Sequence, residues 1–223
     1  RGESLEGKSI AISGAGNVAQ HAIEKAMQHG ARVVTASDSS GAVFDPAGFD
    51  EEKFAALQHI KNVERGSLET YAEKFGLAFE KGKHPWGAKA EIAMPCATQN
   101  ELMEKDAKTL AENGTRYVVE GANMPVSADA LEVFKDAGVC FAPGKAANAG
   151  GVAVSGLEMS QGSMGLRWPR EEVEQRLQSI MCEIEESCAV YGTKNGDCVN
   201  YVDGANVVGF TRVADAMLAQ GVT

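Results

Sequence analysis

The 223-residue sequence has no excess of basic residues, since 21 Lys and Arg stand against 31 Asp and Glu, a formal net charge of −10. Nucleic-acid binding requires a basic face that neutralises phosphates, so this balance argues against a nucleic-acid partner. It also argues against docking on an anionic membrane surface. A nucleotide ligand stays open, because backbone N–H groups and one or two local cations can hold a pyrophosphate in an acidic protein.

Long hydrophobic runs are also missing, and no apolar stretch reaches the ~20 residues of a membrane span. The first four residues, Arg1-Gly2-Glu3-Ser4, are typical of neither a signal peptide nor a transit sequence. We therefore expect no membrane partner and a cytoplasmic location. Because the chain begins only a few residues before its first predicted strand, we also expect it to be a piece of a longer protein.

Cysteines are few, and no two of them form a C-x-x-C pair. The five are Cys96, Cys140, Cys182, Cys188 and Cys198. None of the four histidines falls at metal-ligand spacing from a cysteine, so we expect no metal site. Reduced, mostly buried thiols in a cytoplasmic protein are the expectation.

A glycine turn near the N-terminus carries the clearest motif. A strand-like apolar run at 8–13 leads into Gly14-Ala15-Gly16-Asn17-Val18-Ala19, a G-x-G-x-x-A pattern, and a helix-like stripe then runs to Gly30. Strand, glycine turn and helix are the context of a dinucleotide fingerprint. Gly14 permits the tight turn, and Gly16 lets the backbone approach a pyrophosphate at the helix start. An ordinary βα turn with two glycines is the alternative.

Alternating strands and helices continue downstream. Apolar runs predict strands at 32–36, 91–94, 117–120 and 139–142, and periodic segments predict helices at 50–62, 67–76, about 101–113 and 128–137. We predict an α/β fold, a doubly wound, mostly parallel Rossmann-like sheet with helices on both faces. A C-terminal helical extension follows.

The extension contains three predicted helices. The first covers about 152–161 and the second is an amphipathic helix over 171–191, followed by a loop at 191–197. The last helix is predicted to follow Gly204-Ala205-Asn206, with apolar side chains that face inward: Val207, Phe210, Val213, Ala214, Met217 and Leu218. We assign residues 1–150 to a dinucleotide-binding core and residues 151–223 to a helical segment that completes the domain.

The end of the second strand bears on the choice of dinucleotide. Asp38 lies about 24 residues after Gly14, where a dinucleotide fold places the group that meets the adenosine ribose, and an acid there indicates NAD. Ser39 and Ser40 could instead donate to a 2′-phosphate, with Lys61 on the next helical segment. The residues alone leave NAD and NADP open.

Polar side chains follow the ends of three predicted strands: Thr98, Gln99, Asn123, Lys145 and Asn148. The ends of parallel strands lie along one edge of a sheet, which is where ligands bind. Loops are polar in any case, but three loops rich in amides and hydroxyls favour a shared cleft.

Several longer strings resemble the hexameric glutamate dehydrogenases of bacteria. They are PCATQNE at 95–101, EGANMP at 120–125, GKAANAGGV at 144–152, SGLEMSQ at 155–161 and ADAMLAQG at 214–221. The resemblance covers essentially the whole chain but only the C-terminal, coenzyme-binding portion of that family. The substrate domain, which carries the family's catalytic lysine and aspartate, is absent here, so no catalytic residue is assigned. Lys145 is the nearest candidate, although a lone lysine in a glycine-rich loop more often binds a phosphate.

The resemblance implies a role for each site residue. Gly14, Gly16, Asn17 and Val18 would hold the pyrophosphate, while Ser39 and Lys61 match positions that contact the 2′-phosphate in NADP-linked relatives. Thr98 and Gln99 would lie beside the nicotinamide half, with Asn123 and Asn148 holding its ribose or carboxamide. Val152 and Ser155 would form the substrate side-chain pocket.

The implied activity is the reversible oxidative deamination of L-glutamate to 2-oxoglutarate and ammonia, with NADP as cofactor, NAD possible, and a homohexameric full-length protein. The segment 151–223 would also form the cleft to the absent substrate domain. One alternative is a related leucine- or phenylalanine-type dehydrogenase, which would place an apolar residue where Ser155 stands. The other is a non-catalytic dinucleotide-binding module.

Overall fold

The computed structural model describes residues 2–193 and 199–221 of the chain. Cys198 and most of the loop predicted at 191–197 therefore lie outside the described residues. The chain forms two compact units, the first ending at Phe141 and the second beginning at Ala142. The domain assignment made from the sequence, with its boundary after residue 150, stays a prediction.

The first unit is built on one sheet, which in the described part of the chain has seven strands. They are β1 (Ser9–Ile12), β2 (Arg32–Asp38), β3 (Gly41–Phe44), β4 (Ala78–Lys81), β5 (Ile92–Met94), β6 (Tyr117–Val119) and β7 (Cys140–Ala142). Their order is β4-β3-β2-β1-β5-β6-β7. β1 pairs in parallel with β2 and β5, and β5 pairs in parallel with β6. The predicted doubly wound, mostly parallel sheet is confirmed.

Five α-helices connect these strands. They are α1 (Asn17–Gln28), α2 (Glu51–His59), α3 (Leu68–Phe75), α4 (Glu104–Glu112) and α5 (Ala128–Asp136). A π-helical turn (Ile60–Glu64) extends α2, and a 3₁₀ turn (Pro85–Gly87) precedes β5. Side-chain caps explain several of the helix starts, because Asp50, Ser67 and Ser127 each accept a backbone N–H of the first turn.

Both faces of the central strands are buried. Ile10, Ile12 and Ile92 belong to one apolar cluster, which also contains Ile23 of α1. Ala93, the neighbour of Ile92 along β5, belongs to a second cluster with Val118, Leu110 and Phe134. Successive side chains of a strand point to opposite faces of the sheet. Because both faces are buried here, every position of a central strand favours an apolar residue, which explains the continuous apolar runs in the sequence.

An antiparallel edge was not predicted. β3 pairs with β2 and with β4, and both of these pairings are antiparallel. β3 follows Asp38 after a two-residue turn, whereas its partner β4 begins only after 33 intervening residues. No strand is predicted from the sequence at Gly41–Phe44 or at Ala78–Lys81. β4 is short, and its side chains are exposed apart from that of the half-buried Phe79.

The second unit is helical. It contains α6 (Gly144–Ala147), α7 (Gly150–Met164), α8 (Arg170–Gly192) and α9 (Tyr201–Gln220). The amphipathic helix predicted over 171–191 is present as α8. Its apolar stripe is half-buried at Val173, Leu177, Ile180, Met181 and Ile184 and buried at Cys188. No helix among the described residues is long and apolar enough to cross a membrane.

Two expectations for the last helix are wrong. It begins at Tyr201, so Gly204 lies inside it, where its backbone packs closely against that of Cys188. The predicted inward face is largely exposed: Phe210 is 73% exposed and Leu218 is 77% exposed. Helical periodicity shows that these residues share a face, but it does not show what the face packs against.

The cysteines are only partly as expected. Cys96 and Cys188 are buried and Cys140 is half-buried, but Cys182 is exposed, and all four are free thiols. Cys182 lies next to the apolar stripe of α8 rather than on it, because neighbouring residues on a helix are about 100° apart.

Candidate functional site

Gly14 sits where β1 turns into α1. Its φ is +88°, and a Cβ there would lie 3.0 Å from the Cys96 carbonyl oxygen and 3.2 Å from the Cβ of Ala19. The Gly14 N–H donates to the Ser37 hydroxyl over 2.8 Å, which ties the turn to the end of β2. Only glycine suits both the conformation and the close packing at this position.

The N-terminus of α1 opens beyond this turn. Gly16 is its N-cap residue, no side chain caps the helix, and its first turn carries no acidic residue. Asn17 and Val18 are exposed, and a Cβ on Gly16 would have no atom within 4 Å. The positive end of the helix and its N–H groups therefore face open space beside a glycine that presents no side chain to an approaching anion.

Asp38, at the end of β2, is engaged by its own chain. Its Oδ2 accepts from the Lys61 ammonium over 2.8 Å and from the Leu68 N–H over 3.0 Å, and its Oδ1 accepts from the N–H and hydroxyl of Ser40. Burial alone would raise the pKa of this carboxyl, but the hydrogen bonds from Lys61, Ser40 and Leu68 outweigh it and hold the pKa below its usual value. The side chain is only 11% exposed.

Lys61 owes its position to the π-helical turn. The turn ends at Arg65 with φ +57°, and the Lys61 ammonium also donates to the Gly66 carbonyl over 2.9 Å. Gln20 of α1 and Asn62 exchange two amide hydrogen bonds of 3.0 and 2.9 Å. This amide pair, which the sequence analysis missed, joins the turn that carries Lys61 to the helix whose N-terminus is open.

Ser39 follows Asp38 and is exposed. It stands in the two-residue turn between β2 and β3, one residue from the Asp38–Lys61 ion pair. The structure therefore brings Asp38 and Lys61 into contact and places Ser39 beside them.

Thr98, Gln99 and Asn123 are exposed on two loops that are hydrogen-bonded to each other. The Asn100 N–H donates to the Met124 carbonyl and the Leu102 N–H to the Pro125 carbonyl, each over 3.0 Å. The N–H groups of Gly121 and Ala122 both donate to the Pro95 carbonyl. The ends of β5 and β6 thus present their polar loops side by side, as expected for neighbouring parallel strands.

Two buried carboxylates brace these loops, and the sequence analysis missed both. Glu101 accepts from the N–H groups of Ala97 and Thr98 over 3.0 and 3.3 Å, and Glu120 accepts from the Val126 N–H over 3.3 Å. Both residues are buried. Glu120, which directly follows β6, was a usable signal, because buried acids are rare unless they are paired or hydrogen-bonded.

The remaining candidates lie in the second unit. Asn148 is half-buried at the end of α6, while Val152 and Ser155 are exposed one turn apart on α7, with Val152 79% exposed. Lys145 donates to the amide oxygen of Asn206 on α9. Ser155 is three positions after Val152, so both lie on one face of α7.

The described residues contain no cluster of three or more His, Cys, Asp or Glu side chains that could hold a metal ion. What the first unit offers instead is an uncapped helix N-terminus, a nearby lysine held by an aspartate, and two braced polar loops. These features would suit a ligand with an anionic group at its centre and a polar ring at each end. The anionic group would meet the helix N-terminus, and the rings would lie towards Lys61 and towards the two loops.

Residues 1–221 match the family model described as Glutamate/Leucine/Phenylalanine/Valine dehydrogenase. The chain is 58% identical over 223 residues to an NADP-specific glutamate dehydrogenase from Haemophilus influenzae and 56% identical over 222 residues to an NAD(P)-specific glutamate dehydrogenase from Xylanibacter ruminicola. All of this chain and 50% of each relative are covered in both cases.

A solved glutamate dehydrogenase from Plasmodium falciparum superimposes with a TM-score of 0.94 at 38% identity, over 99% of this chain and 48% of that one. The chain spans about half the length of the curated relatives that it matches. Since the family model covers nearly every residue, the chain belongs to the glutamate/leucine/phenylalanine/valine dehydrogenase family.

Proposed function

We propose that this chain is the coenzyme-binding half of a glutamate dehydrogenase, which converts L-glutamate reversibly to 2-oxoglutarate and ammonia. The observation that carries the proposal is the open N-terminus of α1 beside Gly16, with Lys61 held near the end of β2. Both features suit a phosphorylated dinucleotide, because one offers N–H donors to a pyrophosphate and the other a cation to a 2′-phosphate.

Two segments of the first unit bind different parts of the dinucleotide in this proposal: the glycine turn at the start of α1 and the loop that follows β5. Gly14, Gly16, Asn17 and Val18 hold the pyrophosphate. Thr98 and Gln99 lie beside the nicotinamide half. The bound dinucleotide supplies the hydride chemistry, while these residues place it and exclude water from it.

NADP is the proposed cofactor, with NAD used less well. The two relatives are named NADP-specific and NAD(P)-specific. An acid at the end of β2 ordinarily favours NAD, but the Asp38 carboxylate already accepts four hydrogen bonds from its own chain. With its charge offset by Lys61, this carboxylate repels a 2′-phosphate less than an unpaired one would. The exposed hydroxyl of Ser39 adds a donor.

Glutamate is the proposed substrate because of Ser155. A hydroxyl on the exposed face of α7 can donate to a distal carboxylate, whereas it would lose its partner against an alkyl side chain. Asn148 holds the nicotinamide ribose or carboxamide, and Val152 lines the substrate side-chain pocket. The family also contains leucine, phenylalanine and valine dehydrogenases, which makes an apolar amino acid the second candidate.

The full-length parent protein tests the proposal. We expect it to be a cytoplasmic homohexamer that oxidises L-glutamate faster with NADP than with NAD, and L-leucine and L-phenylalanine far more slowly. Initial rates with both nucleotides and all three amino acids are the measurement. A preference for leucine or phenylalanine would assign the chain to the second candidate, and no oxidation with either nucleotide would favour a non-catalytic binding module.

A further inference from the structure

Glu101 is a buried acid outside the residues assigned to the cofactor. Its side chain is 0% exposed, and its Oε1 accepts from the N–H groups of Ala97 and Thr98. Its Oε2 is buried without a hydrogen-bond partner, 4.0 Å from Nδ1 of the half-exposed His84. Burial raises the pKa of the carboxyl, although the Ser13 hydroxyl and the two N–H groups oppose that shift. Burying a carboxyl group whose second oxygen has no hydrogen-bond partner is energetically unfavourable, so its position requires a structural or functional explanation.

The backbone of Glu101 is itself held in place. Its carbonyl accepts from the indole N–H of the buried Trp86 over 3.4 Å, and Leu102, the next residue, donates to the Pro125 carbonyl. Because these contacts hold the backbone of residues 101 and 102, the Glu101 carboxylate has a fixed position from which it accepts hydrogen bonds from the preceding loop. The carboxylate holds that loop at two consecutive N–H groups, those of Ala97 and Thr98.

The same loop is tied to the glycine turn. The Cys96 N–H donates to the Ser13 hydroxyl over 2.9 Å, and Ser13 is followed directly by Gly14. The Cys96 carbonyl and the Cα of Ala97 also pack against Gly14. One short loop thus connects the predicted pyrophosphate turn to the predicted nicotinamide side, and Glu101 braces it between these ends.

We propose that Glu101 is a positioning residue, whose carboxylate fixes the 97–99 loop so that Thr98 and Gln99 meet the nicotinamide half of the dinucleotide. This inference rests on the proposed function, because it requires that the chain bind a dinucleotide there. Glu101 would therefore affect binding of the nicotinamide end of the dinucleotide and not of its adenosine end. The adenosine end, near Asp38 and Lys61, lies on the far side of the glycine turn and is held by other contacts.

The test compares NADP⁺ with 2′-phospho-ADP-ribose, which lacks the nicotinamide ring, in calorimetric titrations of the chain. Glu101→Leu removes the acceptor at nearly constant size, and we expect about tenfold weaker NADP⁺ binding with fragment binding within about twofold. Glu101→Gln retains one acceptor oxygen, so it should recover NADP⁺ binding to within about threefold of wild type. Glu104→Leu, at an exposed site on α4, is the matched control and should change neither affinity.

Each outcome has a separate meaning. A wild-type chain that binds neither NADP⁺ nor the fragment refutes the proposed function itself. A wild-type chain that binds both, with Glu101→Leu weakening the two equally or weakening neither, overturns the role of Glu101. Unfolding midpoints of the variants separate a loss of fold from a loss of position. If Glu101→Leu does not fold, Glu101→Ala, which also removes the acceptor, takes its place with the same selective loss of NADP⁺ binding expected.

Discussion

Asp38 illustrates how much a single residue depends on its partners. Counted from the glycine turn, it stands where an acid accepts from a ribose hydroxyl. In the structure both carboxylate oxygens are occupied, one by Ser40 and the other by Lys61 and the N–H of Leu68, which starts α3. The acid therefore acts as a cap for a helix start and as the counter-ion that orients a lysine.

Lys61→Ala tests this arrangement. We expect NADP⁺ affinity to fall by about tenfold or more while NAD⁺ affinity stays within about twofold, because only NADP⁺ carries the phosphate that the ammonium would bind. Titration of both nucleotides into the variant is the measurement. Lys108→Ala, which removes only an exposed ion pair with Glu104, is the control. Equal losses with both nucleotides would show that Asp38 governs the site directly.

Gly16→Val tests the pyrophosphate position. A Cβ there meets no atom within 4 Å, so we expect the free energy of unfolding to change by no more than about 1 kcal/mol. Dinucleotide affinity should nevertheless fall by about 100-fold, because a branched side chain would stand where phosphate oxygens approach the helix start. Gly87→Val, at another open and exposed glycine, is the control. Normal cofactor titration by Gly16→Val would refute this site assignment.

Ser155→Val tests substrate choice in the full-length enzyme. We expect kcat/KM for glutamate to fall by an amount that corresponds to about 1–3 kcal/mol, the loss of a hydrogen bond to a charged group, with a relative gain for apolar amino acids. Ser163→Val on the same helix is the control, because its hydroxyl donates to the Met159 carbonyl. Unchanged glutamate kinetics in Ser155→Val would reduce Ser155 to an ordinary helix residue.

At the scale of elements, α8 and α9 form a closely packed antiparallel pair. Gly204 of α9 lies against the backbone of Cys188, and the Tyr201 hydroxyl donates to Glu185 over 2.7 Å. Asn200 caps α9 by accepting from the N–H groups of Val202 and Asp203. The glycine inside the helix, which led the sequence analysis to start α9 too late, is what allows the two backbones to approach.

Two glycines of α9 provide a matched pair for testing this contact. Gly204→Ala would place a methyl group against the Cys188 carbonyl, so we expect the helices to separate and the free energy of unfolding to fall by about 2 kcal/mol or more. Gly209→Ala has open space at its Cβ and should stabilise the helix by about 0.5–1 kcal/mol. Urea denaturation followed by circular dichroism measures both. Equal effects would mean that the contact at Gly204 contributes nothing specific.

At the scale of the whole molecule, burial is very unequal between the two units. The first unit contains nearly all of the buried apolar side chains, whereas the buried residues among the described part of the second are Pro143, Gly144, Cys188, Gly192 and Gly204. Large apolar side chains such as Met159 and Phe210 are exposed there. The chain also spans about half the length of its relatives.

The isolated 223-residue chain should therefore bind dinucleotide without turning it over. We expect saturable NADP⁺ binding and no nicotinamide reduction in the presence of L-glutamate, because no acid–base pair for this reaction is assigned to the residues of this chain. Absorbance at the nicotinamide wavelength measures the reaction, and the full-length parent under the same conditions is the control. Glutamate oxidation by the 223-residue chain would refute this division of labour.

The sequence by itself determined the local units of this protein. The apolar run at 8–13, the two glycines and the stripe that ends at Gly30 specify β1, the turn and α1, because each depends on contacts between residues near in the chain. The other short apolar runs predicted the parallel strands in the same way. Several long strings that resemble one family then indicated that family, and the resemblance implied most of the candidate site.

Only the tertiary structure decided which segments distant in the chain contact one another and which side chains become hydrogen-bond partners. The β3–β4 pairing joins strands whose nearest ends are 34 positions apart in the chain, and Asp38 meets Lys61 and Leu68 across 23 and 30 positions. Glu101 can hold the preceding loop because the buried Trp86 donates to its backbone carbonyl. The apolar face of α9 is exposed, although its helical periodicity suggested burial. Spacing along a chain fixes which residues share a face or follow a strand, but a hydrogen-bond partner is set by where the backbone carries each group in three dimensions.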